Sequence, residues 1–345
     1  MSIIPQMMNN YYIGIMTGTS ADALDGCIVS FDDKFRLIES ASINLDKSYK
    51  KNYEECIKAG FKEIHESKKL LELENILNEK TIELINILLS NNGIDISEIS
   101  SIGFSGQTVF HTNQNSYQIG NPSFISENSK IDVYSDFRNF DIKNGGMGAP
   151  LIPSFHKYLY AEGKDKLIFN IGGIANGTYL KENEVALASD VGPGNCLMDF
   201  VSSKNFNKPF DNNGDLASKG ELDQILFEKL IDKCSDMSYP RADDKQDYYG
   251  LKELFIDIDP NSLLRTLAEL TAQKINEFYE FCEKPDEVIF HGGGTKNKFL
   301  MDLINNKING LVRTTDDEVP SKYVESAGFA YLAYLKKGEI FKAKS

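Results

Sequence analysis

One pattern occurs twice in this chain and limits its fold more than any other feature. An apolar strand enters a turn of small residues, a second strand returns, and carboxylates cluster around the turn. The first copy starts at Tyr11, with Ile13 and Ile15 flanking Gly14, turns at Gly18-Thr19-Ser20 and returns through Cys27 to Phe31. Its tip carries Thr17, Thr19, Ser20, Asp22 and Asp25. The second runs from Leu167 to Ile171, turns at Gly172-Gly173 and continues from Ala175 to Leu180. Val185 to Ala188 then leads into Ser189-Asp190-Val191-Gly192-Pro193-Gly194-Asn195. Short apolar runs bounded by glycine and aspartate are hairpin signals. The copies barely match residue by residue, so the likeness is one of pattern and not a sequence repeat. It predicts two related α/β domains facing a cleft, and 345 residues suffice for two domains. The restart of the pattern puts the boundary near residue 135, giving domains 1–135 and 136–320. The C-terminal segment 321–345 is expected to pack back on the first.

The remaining elements fit between these copies. Residues 50–92 are rich in Lys and Glu, with Leu70, Leu71, Leu73, Ile76 and Leu77 at helical spacing, and predict helices. Ile99 to Phe104 reads as a strand running into Ser105-Gly106-Gln107-Thr108. A third glycine turn, Gly292-Gly293-Gly294, follows the strand Val288-Ile289-Phe290 and opens a helix carrying Phe299, Leu300, Leu303 and Ile304. Val324 to Leu335 predicts an apolar closing helix.

Composition removes several function classes. The net charge of −14 argues against a nucleic-acid surface, which needs a basic face. A nucleotide is still allowed, because backbone N–H groups and a bound cation hold phosphates without a basic domain. The five scattered cysteines have no metal-ligand spacing, and their odd number fits reduced thiols. No charged, apolar leader opens the chain, and no apolar run reaches the ~18–20 residues that span a bilayer. A soluble, cytoplasmic protein is expected.

Glycines at strand ends let backbone N–H groups approach phosphate oxygens. Neither a Walker A sequence nor a G-x-G-x-x-G is present, which disfavours the P-loop and dinucleotide folds. Two hairpins gripping phosphates, with a third turn for the nucleoside, remain. Asp22, Asp25 and Asp190 sit at these turns, where a carboxylate holds magnesium through water, serves as a general base, or simply caps a turn. Arg138 lies in a glycine-flanked stretch before Gly145-Gly146-Met147-Gly148-Ala149-Pro150. It either grips a substrate carboxylate or pairs with Asp136 or Asp141. His111 is a candidate substrate contact, His156 and His291 read as packed core residues, and His65 as exposed.

Taken in order, these blocks resemble the anhydro-N-acetylmuramic acid kinases of the actin/hexokinase/sugar-kinase superfamily. The matching residues are Gly18-Thr19-Ser20-Ala21-Asp22-Ala23-Leu24-Asp25, Gly106-Gln107-Thr108, Gln118-Ile119-Gly120-Asn121-Pro122, and Asp136-Phe137-Arg138 through Leu151. They continue with Asn170-Ile171-Gly172-Gly173-Ile174-Ala175-Asn176, Asp190 through Asn195, Gly292-Gly293-Gly294 with Asn297, and Glu325. The resemblance implies two actin/hexokinase-like domains with the active site in the cleft. It implies hydrolytic opening of the 1,6-anhydro ring and phosphorylation of O6, with ATP and magnesium, in bacterial cell-wall recycling by a homodimer. By the same resemblance Asp190 matches the catalytic base, and Asp22 and Asp25 are candidate magnesium ligands. Gly18 to Asp25, Gly172, Gly173, Asn176, Gly192, Gly194, Asn195, Gly292, Gly293, Gly294 and Asn297 fall at the nucleotide. Gln107, Thr108, Arg138 and Glu325 fall at the amino sugar. The chain departs from the family pattern at Ala23, Ser105 and Met147. A Lys-Ser-Thr-Gly-Arg block expected near residue 247 is replaced by Asp247-Tyr248-Tyr249-Gly250-Leu251-Lys252. A kinase for another amino sugar or polyol, and an actin-like ATP-binding protein that phosphorylates no metabolite, are the competing readings.

Overall fold

A computed structural model describes residues 10–112, 114–235 and 238–344. The N-terminal segment searched for a leader therefore lies outside the described residues, apart from Asn10. The strands are, in chain order, β1 (Tyr11–Thr17), β2 (Ala23–Ser30), β3 (Arg36–Asn44), β4 (Ile99–Phe104), β5 (Gln107–His111), β6 (Ser116–Ile119) and β7 (Val133–Ser135). They continue with β8 (Lys166–Ile171), β9 (Ile174–Lys181), β10 (Glu184–Pro193), β11 (Glu287–His291), β12 (Leu311–Thr314) and β13 (Glu339–Phe341). The chain packs as two compact units. One runs up to Phe155 and resumes at Glu325; the other is His156–Val324. The crossing points thus fall at 155 and 324, where the sequence reading put 135 and 320. The stretch after residue 135 stays with the first unit because β7 pairs with β4 and β13, and Asn139 bonds to Ser116.

The first unit holds a sheet ordered β13-β7-β4-β1-β2-β3. β1, β2 and β3 form an antiparallel meander, and β4 joins β1 in parallel. The hairpin expected at residues 11–31 is β1–β2, in register from Tyr11↔Ser30 to Thr17↔Leu24. One face of the sheet is covered by the helix Lys68–Asn92, which turns Leu70, Leu73, Leu77, Leu84 and Leu88 inward. These positions recur every three, four or seven residues, as a one-sided helix requires. Leu84 approaches so closely that a Cβ on Gly26 would lie 2.9 Å from it. The closing helix Val324–Tyr334 lies against Gly14 of β1 and Gly103 of β4. A side chain on either glycine would overlap the helix backbone at Ser326 or Phe329, so both positions exclude a Cβ for steric reasons.

The second unit repeats the plan. Its sheet is ordered β10-β9-β8-β11-β12, again an antiparallel meander followed by parallel strands. The long helix Pro260–Phe281 buries Leu263, Leu264, Leu267, Ile275 and Phe278. A Cβ on Gly177 of β9 would sit 2.5 Å from Phe278. Two units with the same strand order account physically for the repeated sequence pattern, and each has the α/β layering expected of an actin/hexokinase-like domain. Among the described residues all five cysteines are buried and free, and no helix is long and apolar enough to cross a membrane.

Candidate active site

In the first unit the β1–β2 tip is held from beneath by Gln107. Gln107 is fully buried; its amide nitrogen donates to the Gly18 carbonyl at 3.0 Å and its amide oxygen accepts from the Thr17 hydroxyl at 2.9 Å. Each end of the amide is engaged within the protein, so Gln107 braces the hairpin. Thr108 follows it in β5, its carbonyl accepting from the Tyr53 hydroxyl at 2.5 Å. A Cβ on Gly18 would meet only Met16 and Ser20, both at 3.7 Å, so the tip backbone is uncrowded. Ser20 donates to the exposed Asp22 carboxylate at 2.5 Å, and Ala21 is buried at φ 49°. Ala23, Leu24 and Asp25 open β2, with Asp25 opposite Met16.

Arg138 stands in the short helix Phe137–Lys143 and donates to the Gly148 carbonyl at 2.8 Å. Asp141 accepts from the Gly148 N–H at 2.8 Å, which folds the glycine loop onto this helix. His111 lies against Gly148; burial, with the Arg138 charge beside it, depresses this imidazole to about 4. It is therefore neutral at pH 7. A cavity of about 240 Å³ nearby is lined by Gly106, Gln118, Asp136, Asn139 and Glu339. Glu325, half-buried, occupies the first turn of the closing helix.

In the second unit two of the turns, at Gly172-Gly173 and at Gly194-Asn195, are tied together by backbone bonds. The N–H groups of Gly194 and Cys196 donate to Gly173 O at 3.0 and 3.1 Å, and Asn195 N–H donates to Gly172 O at 2.8 Å. The Asn195 side chain adds bonds to Ile171 O and Gly172 O at 3.2 and 3.0 Å. The glycines divide into two groups. A Cβ on Gly194 would overlap Gly172 O, one on Gly292 would overlap Asn170, and one on Gly294 would overlap Ile171. Gly192 would press on Lys274 at 3.1 Å. Packing alone accounts for these four. Gly293, by contrast, has nothing within 4 Å, and Gly172 is only lightly approached. Asn297 caps the helix Lys298–Asn305 by accepting from Leu300 N–H at 3.0 Å, so its side-chain oxygen is engaged. Asn176 lies in β9 opposite both Asn170 and Asp190.

Asp190 is 6% exposed near the end of β10. The β10–β9 register shifts between Asp190 and Gly192, and such a bulge re-aims the side chain at a strand end. Its carboxylate Oδ2 accepts the Asp243 N–H at 2.7 Å, and its own N–H donates to Arg241 O at 3.0 Å. Sequence reading passed over Arg241, Asp243 and Lys245, because residues 238–249 show no period and the expected family block is absent there. Lys245 lays its side chain on Gly173, with Cε 3.2 Å from where a Cβ would stand. Its only sequence signal was a cation beside Asp243, Asp244 and Asp247. His156 and His291, read as core, are indeed buried; their Nε2 atoms are 3.1 Å apart and His156 Nδ1 is 2.8 Å from Thr178 Oγ1.

Comparison with known proteins decides the family. The family model for anhydro-N-acetylmuramic acid kinase matches residues 10–340. The chain belongs to the anhydro-N-acetylmuramic acid kinase family. It is 34% identical over 343 residues to the anhydro-N-acetylmuramic acid kinase of Shewanella pealeana, covering 95% of this chain and 92% of that one. It is 32% identical over 346 residues to that of Gamma-proteobacterium EBAC31A08, covering 96% and 93%. Among solved structures it resembles component A of (R)-2-hydroxyglutaryl-CoA dehydratase from Acidaminococcus fermentans, with a TM-score of 0.50, 10% identity, and 95% and 99% of the two chains covered. The activator of 2-hydroxyisocaproyl-CoA dehydratase from Clostridium difficile also scores 0.50, at 11% identity and 95% coverage of both chains. At that identity the likeness concerns the fold alone, and it agrees with the actin/hexokinase-like class.

Proposed function

We propose that this protein is an ATP-dependent kinase that opens the 1,6-anhydro ring of anhydro-N-acetylmuramic acid and phosphorylates O6, yielding N-acetylmuramate 6-phosphate in cell-wall recycling. The observation that carries this reading is the family match along residues 10–340, which includes a carboxylate, Asp190, held at a bulged strand end. Asp190 acts as the general base: it takes a proton from water as the oxygen attacks the anomeric carbon. The C1–O6 bond breaks with its electron pair left on O6. That oxygen attacks the γ-phosphorus, and the bond to the β-phosphate oxygen breaks to release ADP.

The nucleotide contacts follow from which backbone is uncrowded. The hairpin tip within Gly18 to Asp25 in the first unit and the backbone at Gly173 and Gly293 in the second lie toward phosphate and nucleoside, with Gly172, whose N–H donates to Ile174 O, and Gly192, Gly194, Asn195, Gly292, Gly294 and Asn297 shaping the turns. Lys245, lying over Gly173, adds a positive charge there. Among the described residues no three His, Cys, Asp or Glu side chains gather into a metal cage. Magnesium needs none, since one or two carboxylates plus phosphate oxygens suffice. Asp22 and Asp25 would hold it, and its chemistry is to neutralise phosphate charge. Arg138, with Thr108 and Glu325, reads the sugar and its lactyl carboxylate. Cytoplasmic location and a homodimeric state belong to the same reading.

Incubation with ATP, magnesium and a panel of anhydro and free amino sugars tests it. ADP release and a phosphorylated product with the anhydro-muramic sugar are expected. Preferred turnover of another amino sugar, or nucleotide binding without sugar-dependent ADP release, would favour one of the competing readings.

A further inference from the structure

We propose that Arg241, Asp243 and Tyr248 form a positioning unit that aims Asp190 and keeps it ionised. The inference rests on the reading of Asp190 as the base. Its starting point is the bulge in β10, an edge strand, where Val191 is left unpaired directly after Asp190, which itself pairs with Asn176. A separate stretch of chain bonds to β10 at this point. Asp190 N–H donates to Arg241 O at 3.0 Å, and Arg241 N–H donates to the Ser189 hydroxyl at 2.9 Å. Two residues on, Asp243 N–H donates to the Asp190 carboxylate at 2.7 Å.

That N–H is held in place through its own side chain. Asp243 Oδ2 accepts from Arg241 Nε at 2.9 Å and from the Tyr248 hydroxyl. The same guanidinium donates through Nη2 to Val191 O at 2.6 Å, which clamps the segment to β10 just after Asp190. The Arg241 and Asp243 side chains are only 12% and 10% exposed, and Tyr248 is buried. Burial and then the Asp243 charge push the Tyr248 phenol up, with Asp190 contributing, so it stays a proton donor. Other charges near this end of β10 are Lys274, whose stem lies on Gly192 and whose ammonium pairs with Glu277, and Lys245 over Gly173. Tyr248 falls in the 247–252 segment that stands where the Lys-Ser-Thr-Gly-Arg block was expected, and Arg241 and Asp243 lie just before it.

A hydrogen bond donated to a carboxylate favours its charged form over the acid. Loosening the Asp243 N–H therefore moves the acid limb of kcat to higher pH, which a merely structural contact would not do. The experiment compares wild type, Asp243→Ala, Tyr248→Phe and Asp190→Asn with ATP and the anhydro-muramic sugar between pH 5 and 9. Melting curves and ATP calorimetry monitor the fold. Tyr248→Phe loosens the Asp243 side chain and leaves every carboxylate and cation in place, so it should raise the acid limb of kcat while ATP affinity changes less than about twofold. Asp243→Ala also removes a like charge beside Asp190 and frees Arg241, both of which favour the carboxylate, so its limb should lie below that of Tyr248→Phe. An unmoved limb in folded Tyr248→Phe overturns the positioning role. Normal turnover by Asp190→Asn would instead overturn the base assignment on which it rests.

Discussion

Two adjacent glycines should respond oppositely to the same added methyl group. Gly293 has no heavy atom within 4 Å of an added Cβ and no left-handed φ. Gly293→Ala should leave the second unit folded, and even stabilise it by about 0.4–1 kcal/mol by restricting the unfolded chain. On Gly294 the same Cβ would overlap Ile171 and come 3.0 Å from the Ile171 carbonyl of β8. Ile171 is fully buried and in the sheet, so it has no free direction in which to move. Overpacking of this kind costs about 1–3 kcal/mol. At roughly 2–4 °C per kcal/mol for a domain of this size, Gly294→Ala should lower the melting temperature by about 2–12 °C. Calorimetric titration supplies the other half of the test. Gly293→Val places a branched side chain where the nucleotide is proposed to lie, and ATP affinity should fall about tenfold or more, with the melting temperature nearly unchanged. Unaltered ATP affinity in Gly293→Val would remove the third turn from the nucleotide site. An unaltered melting temperature in Gly294→Ala would refute the steric argument that separates the two.

Arg138→Ala should lose most of the preference for a muramic over a glucosamine substrate, by about tenfold to a hundredfold, since a charge-assisted hydrogen bond contributes about 1.5–3 kcal/mol. Equal loss with both sugars in steady-state assays would make Arg138 a support for the Gly148 loop. Stability should also fall in mild acid. Burial holds His156 down to about 3 and His111 to about 4, and His291 well below its ordinary value. Below about pH 6.5 the unfolded chain takes up protons that the folded chain refuses. Each histidine therefore removes up to about 1.4 kcal/mol per pH unit between its unfolded value and its folded one. Melting scans from pH 7.5 to 4.5 should show this, with a shallower slope for His156→Gln; parallel slopes would place the acid sensitivity elsewhere.

Elements with a strong internal period were legible from the sequence. β1, β2 and β8 to β10 carry apolar runs interrupted by glycine turns, and the helix Lys68–Asn92 shows its buried leucines at helical spacing. β3 was missed because Arg36–Asn44 is mostly half-exposed at a sheet edge and offers no clean alternation. β5 and β6 form a separate two-stranded ribbon, and where the sequence suggested a turn at Gln107-Thr108 a strand begins. At the candidate site, glycine positions announced themselves, but their roles did not. Crowding at Gly292 and Gly294 comes from β8 residues more than a hundred positions away and crowding at Gly194 from Gly172 and the start of β9, while Gly293 meets nothing within 4 Å. Gln107 carried a motif position and braces the hairpin. The partners of Asp190 lie about fifty residues further along, in a segment whose sequence has no period to flag it.

The central claim is that Asp190 activates water for attack on the anomeric carbon as O6 is phosphorylated. Turnover in oxygen-18 water, with the product analysed by mass spectrometry, tests it most directly. The wild-type product should carry one heavy oxygen at C1 and none in the transferred phosphoryl group. In Asp190→Asn the rate of label incorporation and kcat should fall together by about 10²–10⁴-fold, the usual contribution of a general base, while ATP still binds. An unlabelled wild-type product, or label and turnover at near-normal rates in Asp190→Asn, would contradict the account.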